Sequence, residues 1–138
     1  MPLIDVKFPG GKQVDAHVGG HHIPTDQAPD SGGEGRAPEP FQLFLASIAT
    51  CAGIYARSFC DQRDLAAPLG LDLDIARGED GLISQIDLVL HVDGDFPSRY
   101  DRAITRAMSL CAVKKQLRSE IHTVIHVARN GDAASAGA

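Results

Sequence analysis

Apolar and polar residues alternate over Leu3 to Phe8 and again over Gln13 to Val18, the two-residue period of half-buried strands. Pro9-Gly10-Gly11 turns the chain between these runs and Gly19-Gly20 ends the second, so the pair predicts a β-hairpin. His21 to Thr25 can add a short third strand, and Asp26 to Glu39, rich in Pro, Gly, Asp and Ser, predicts a loop. The pattern then changes. Pro40 to Arg63 predicts the longest helix, and Pro40 suits its first turn. At about 100° per residue, Phe44, Ser47, Ile48, Cys51, Ile54, Tyr55 and Ser58 share one face, while Leu45, Ala49, Ala52 and Ala56 occupy the other. Apolar residues on both faces predict a central, buried helix. Its small residues, Ala46, Ser47, Ala49, Ala52 and Gly53, allow another backbone to approach closely.

Pro68-Leu69-Gly70 breaks the chain. Leu71, Leu73 and Ile75 then alternate with Asp72, Asp74 and Ala76, a strand whose acidic positions form a solvated face. Gly78 to Gly81 is a turn, and Leu82 to Val92 completes a second hairpin. A helix over Ser98 to Leu110, a short helix over Ala112 to Glu120 and a last strand over His122 to Ala128 follow. The order predicts an α+β fold in one domain over residues 1–128, with two hairpins and a C-terminal strand around the long helix. Residues 129–138, rich in Gly and Ala, read as a frayed tail.

At 138 residues the chain can bury a core without structural disulfides or metals. The net charge of −5, with no block of Lys or Arg, argues against nucleic-acid binding. No apolar run reaches the ~18 residues that suggest a membrane span. The start, Met1-Pro2-Leu3-Ile4-Asp5, lacks the features of a signal peptide. A cytoplasmic protein is therefore expected, in a compartment where cysteines stay reduced and disulfides are transient. Three cysteines without CxxC spacing fit neither a zinc ribbon nor a thioredoxin motif. GxGxxG, P-loop, HExxH and GxSxG motifs are absent, so no cofactor is expected. His17, His21 and His22 match no zinc spacing, and no metal is expected.

The cysteines carry the candidate chemistry. Cys51 sits mid-helix in an apolar run. Taken alone it reads as a small core residue, because burial raises a thiol pKa. Cys111 falls near the start of the expected short helix, with Ser109 as its cap and Lys114 and Lys115 one turn ahead. A helix dipole and nearby cations lower a thiol pKa, so Cys111 reads either as a reactive thiol or as an inert one. Cys60 lies nine residues after Cys51, about 180° round the helix, where the two cannot pair; it reads as a bystander.

Pro40-x-x-Leu43-x-Leu45-Ala46-x-x-x-x-Cys51 at the head of a long buried helix resembles the signature of the OsmC/Ohr family. Cys111-Ala112-Val113-Lys114-x-x-Leu117 resembles that family's second cysteine motif. The order of elements matches over nearly the whole chain. The resemblance implies an intertwined homodimer with the long helices at its centre and active sites at the subunit interface. It further implies that Cys51 is the peroxidatic thiol, that Cys111 is the resolving thiol, and that an external dithiol reduces the resulting disulfide. Organic hydroperoxides would be the substrates, in a pocket to which Phe41, Phe44, Ile48, Tyr55 and His22 are candidates. Tyr55, on the Cys51 face, serves equally as packing, and His22 equally as a surface residue. In the family's hydroperoxide reductases a Glu follows the helix-initial Pro and pairs with an N-terminal Arg that activates the thiolate. Here Phe41 follows Pro40 and residues 1–35 hold no Arg. Glu39 and Arg36 lie close by in sequence, and Arg57 points about 120° away from Cys51. Two readings stay open: a thiol peroxidase in oxidative stress defence, or a non-enzymatic protein that binds an apolar ligand or senses redox state.

Overall fold

The computed structural model describes residues 2–131. The chain divides into two compact units, Met1–Ala46 and Ser47–Ala138. In the first, β1 (Asp5–Gly10), β2 (Gln13–Val18) and β3 (His21–Ile23) form an antiparallel sheet in chain order. Gly19 and Gly20, with φ of 55° and 79°, turn β2 into β3, a left-handed conformation that glycine adopts without penalty. The register sets His17 opposite His22. The long loop that follows is held by one buried side chain. The Asp26 carboxylate accepts the backbone N–H groups of Gln27, Glu34 and Arg36 at 2.7, 3.3 and 3.1 Å. These bonds, that of Gln27 foremost, hold the Asp26 carboxyl below the usual carboxylate range. Gly33 is required where the loop closes on itself, because a Cβ there would lie 2.0 Å from the Gln27 carbonyl oxygen. Little of β1 is covered: Val6 and Phe8 are 44% and 79% exposed.

The long helix α1 (Pro40–Asp61) begins in the first unit and runs into the second. The second unit continues with β4 (Gly70–Arg77), β5 (Ile83–Val92), α2 (Asp101–Ser109) and β6 (His122–Arg129). β5 is central, antiparallel to β4 and parallel to β6. Leu71, Leu73 and Ile75 stand opposite Leu90, Leu88 and Ile86, so the alternation in the sequence becomes one apolar face. On that face sit Ile48, Ala52, Ala56, Phe59 and Cys60 of α1 with Ile104 and Met108 of α2, all in one buried cluster. Each fully buried aliphatic or aromatic side chain in it contributes roughly 1.5–3 kcal/mol. Gly53 sits close to β4: a Cβ placed on it would contact Leu71 at 3.7 Å.

The mixed α+β architecture, with its two hairpins and long helix, agrees with the expectation from the sequence. Within one chain the burial of α1 takes the form of a stripe, spaced three and four residues apart, while Phe41, Phe44 and Ile54 stay 40%, 40% and 57% exposed. At 22 residues and a mean hydropathy of 1.4, α1 has the length and composition of a membrane span. Its stripe in the sheet-side core is equally that of a buried core helix. The helix expected over 112–120 shrinks to a 3-10 turn at Lys114–Gln116. Such a segment is too short to hold itself as an α-helix. The last strand runs one residue further than expected, to Arg129, whose guanidinium forks onto the Asp101 carboxylate at the head of α2. Of the expected tail, residues 132–138 lie outside the described residues.

Candidate functional site

The two segments that carry Cys51 and Cys111 converge. Cys51 lies in the middle of α1, on the flank of the buried stripe, and is half-buried. Cys111 follows directly on the end of α2 and is 1% exposed. Cys51 packs against the buried cluster that contains Cys111, and its nearness is one of the causes that raise the Cys111 pKa. No disulfide joins them, and all three cysteines are free. The turn after α2 makes this convergence: Cys111 N–H donates to the Met108 carbonyl at 3.2 Å, and its own carbonyl accepts Lys115 N–H at 3.2 Å. The chain thus bends round Cys111 and leaves its sulfur against α1.

The electrostatics at Cys111 differ from the expectation. Burial pushes its thiol pKa up. The backbone N–H of Lys114, which donates to Sγ at 3.3 Å, pulls the other way. The neighbouring Cys51 side chain, and its charge, push up again. The low-pKa thiol expected from a helix N-terminus does not form, because a single 3-10 turn follows Cys111 instead of a helix. Ser109 caps nothing: its hydroxyl donates back to the Arg106 carbonyl at 2.7 Å. Cys60 is fully buried, its pKa raised by burial and then by Asp61, and it packs as a core residue.

The other candidates separate. Tyr55, one turn beyond Cys51, lines a cleft of about 800 Å³ between the second half of α1 and α2. Leu110, immediately before Cys111, lines it too, so the cleft opens beside both cysteine-bearing segments. Ile48 does not line it; it is 0% exposed and packs inside the core. Phe41 and Phe44 belong to the first unit, where their rings meet at 5.8 Å near the head of α1. His22 also belongs there. Its Nε2 lies 2.7 Å from Asp15 Oδ2 and its ring stacks on His17, as a cross-strand surface group does. The cations near in sequence are engaged: Arg36 pairs with Glu34 at 2.6 Å and Arg57 with Asp61 at 3.2 Å. Among the described residues no group of three or more His, Cys, Asp or Glu could hold a metal ion.

Four arginines on the same cleft, Arg63, Arg99, Arg102 and Arg106, were not among the candidates from sequence. Their signal was there: Arg99, Arg102 and Arg106 repeat at spacings of three and four in a chain of net negative charge.

The family model described as OsmC-like protein matches residues 32–126, a span that includes both converging cysteines. The chain belongs to the OsmC-like protein family. Among solved structures it resembles the OsmC-like protein of Mycoplasma pneumoniae, at a TM-score of 0.73 and 15% identity, covering 91% of this chain and 94% of that one. It also resembles the organic hydroperoxide resistance protein OhrB of Bacillus subtilis, at a TM-score of 0.60 and 17% identity over 91% and 96% of the two chains. A third likeness is to an organic hydroperoxide resistance protein OsmC of Legionella pneumophila, with 0.60, 17%, and coverage of 91% and 95%. At such identities these likenesses establish the shared fold. No curated protein matches the chain by sequence.

Proposed function

We propose that this protein is a thiol-dependent peroxidase that reduces organic hydroperoxides through Cys51 and Cys111, in oxidative stress defence. The observation that carries the reading is the convergence of the two thiols, Cys51 packed against the buried cluster that holds Cys111. Family membership and the organic hydroperoxide resistance proteins among the structural relatives support it.

The chemistry follows from the two environments. Cys51, the more accessible thiol, attacks the terminal peroxide oxygen as its thiolate. An S–O bond forms, the O–O bond breaks, and the alkoxide leaves as the alcohol after taking a proton. Cys51 is then a sulfenic acid. The Cys111 thiolate attacks its sulfur, the S–S bond forms, and the oxygen departs as water. An external dithiol exchanges with this disulfide and becomes oxidised in its turn. Tyr55 and the apolar walls of the cleft receive the organic part of the substrate.

A homodimer in the cytoplasm belongs to the same proposal. A three-stranded sheet with Val6 and Phe8 exposed buries too little of itself to stand alone, and a second copy is the simplest cover.

One observation favours a second reading, a non-enzymatic protein that binds an apolar ligand or senses redox state. Cys111 is shifted away from the thiolate, and Arg36 and Arg57 are already paired with carboxylates. The test is to reduce the protein anaerobically, add cumene hydroperoxide and count thiols by mass. Loss of two thiols within seconds, abolished in Cys51→Ser, supports the peroxidase. Survival of both thiols in excess peroxide rejects it.

A further inference from the structure

We infer that Arg129 is a positioning residue for the thiol pair: from the far end of α2 it fixes where Cys111 lies against Cys51. Its catalytic meaning rests on the function proposed above; its geometry does not. Arg129 stands opposite Val92 of β5, and it continues the inward row of Ile125 and Val127 along β6. Its side chain is 19% exposed, and a charge held so far from water has to be paired. The guanidinium forks onto both oxygens of the Asp101 carboxylate, Nη1 donating to Oδ2 at 2.8 Å, and Nε donates to the Phe96 carbonyl at 3.2 Å. One side chain thus binds together the end of β6, the connection before α2 and the first residue of α2.

α2 needs such a hold. It has 9 residues, too few to be stable by itself, and no side chain caps its start. Ile104 and Met108 seat its inward face in the core. Apolar burial is non-directional, so it leaves the tilt of the helix open, whereas a bidentate fork fixes direction. Tyr100, just before α2, meets the Phe59 ring edge-on at 5.8 Å, so the clasped head also rests on α1. From Asp101 to Cys111 the chain advances roughly 15 Å, at about 1.5 Å per residue. A tilt of about 10° at the head would move Cys111 by roughly 2.6 Å. The Cβ atoms of a disulfide keep their separation within about 1 Å, so such a shift takes the sulfurs out of bonding range. The ion pair then specifies geometry more than stability, because apolar residues of similar volume can equal a buried pair in stability.

The experiment equilibrates the full chain in glutathione redox buffers and reads the Cys51–Cys111 disulfide by peptide mass mapping. Each disulfide formed consumes one glutathione disulfide and releases two molecules of glutathione, so the equilibrium gives the effective concentration of one thiol at the other. The buffer holds no peroxide, so the result stands or falls apart from the peroxidase reading. A substitution that destabilises the reduced and oxidised folds alike leaves this quantity unchanged. Arg129→Met is expected to lower it at least about tenfold, since misplacing reacting groups by about 1 Å can cost about 10²-fold. Circular dichroism checks that the fold is intact. Arg129→Lys keeps the charge and loses the fork; a loss of about threefold or more is expected, and it carries the test if Arg129→Met does not fold. Asp101→Leu with Arg129→Met is expected to regain melting temperature without regaining effective concentration. Three results overturn the inference. The first is an unchanged effective concentration in Arg129→Met or, where that variant does not fold, in Arg129→Lys. The second is its recovery together with stability in the double variant, which would leave Arg129 a packing role alone. The third is a wild type that forms no Cys51–Cys111 disulfide in any buffer.

Discussion

Cys51 and Cys60 lie nine residues apart on one helix, yet their surroundings share almost nothing. Cys60 is fully buried in the core beside Phe59, and burial raises its pKa. Cys51 is half-buried and faces a second thiol across a turn. Half a rotation of an α-helix separates them. The difference teaches that the helix face, rather than the residue type, decides which cysteine can do chemistry. An apolar helix supplies both a core filler and a candidate nucleophile.

The largest effect that tests this contrast is on peroxide consumption. Cys51→Ser is expected to lower it by at least about 10³-fold, the scale on which loss of a nucleophile is felt. Cys60→Ala should leave it within a factor of about 2, because Cys60 lies about half a rotation of α1 away from Cys51. Stopped-flow consumption of cumene hydroperoxide measures both, and equal losses in the two variants would erase the distinction. Next comes Cys111→Ser. It should still lose the Cys51 thiol but stop at a single added oxygen, read by intact mass, with no disulfide.

The third prediction concerns pH. A buried thiol reacts through its thiolate, so disulfide formation by Cys111 should speed up about tenfold per pH unit from neutrality until its raised pKa is reached. The folded pKa of Cys111 lies above that of the unfolded chain. The folded protein then holds more protons than the unfolded one, and the stability contributed by the neutral thiol is full below the ordinary cysteine value of about 8.5. It is lost as pH rises through the folded value. Urea midpoints that rise above pH 8.5 would contradict this. The smallest effects are on stability alone. Cys60→Ser should destabilise by roughly 1–3 kcal/mol by burying a hydroxyl without a partner. Cys51→Ser, at a half-buried position, should cost less than about 1 kcal/mol.

Much of this was legible in the sequence. The alternation of Leu71, Leu73 and Ile75 with Asp72 and Asp74 reappears as alternating burial along β4. The long helix begins at Pro40 as its composition dictates. What escaped depends on tertiary context. The sequence of 112–120 has helical character, yet Leu117 turns to extended backbone and the Lys114 N–H is drawn to the Cys111 sulfur. That one change removes the helix dipole on which a reactive Cys111 rested. Ile48 looked like a neighbour of Cys51 because both share a helix face. Packing against the sheet swallowed it. The four arginines were visible singly, but only the approach of α1 to α2 gathers them in one cleft.

The parallel pairing of β6 with β5 has a mechanical consequence. Strands that run the same way need a crossover, and Cys111 rides on it, between α2 and β6. A bond from Cys51 to Cys111 would rivet that strap to the helix beneath and close a loop of about 60 residues. The chain entropy removed from the unfolded state would be worth about 4 kcal/mol. Oxidation would thus do more than store two electrons: it would clamp the half of the molecule that holds the core. Melting temperature would then serve as a direct gauge of redox state.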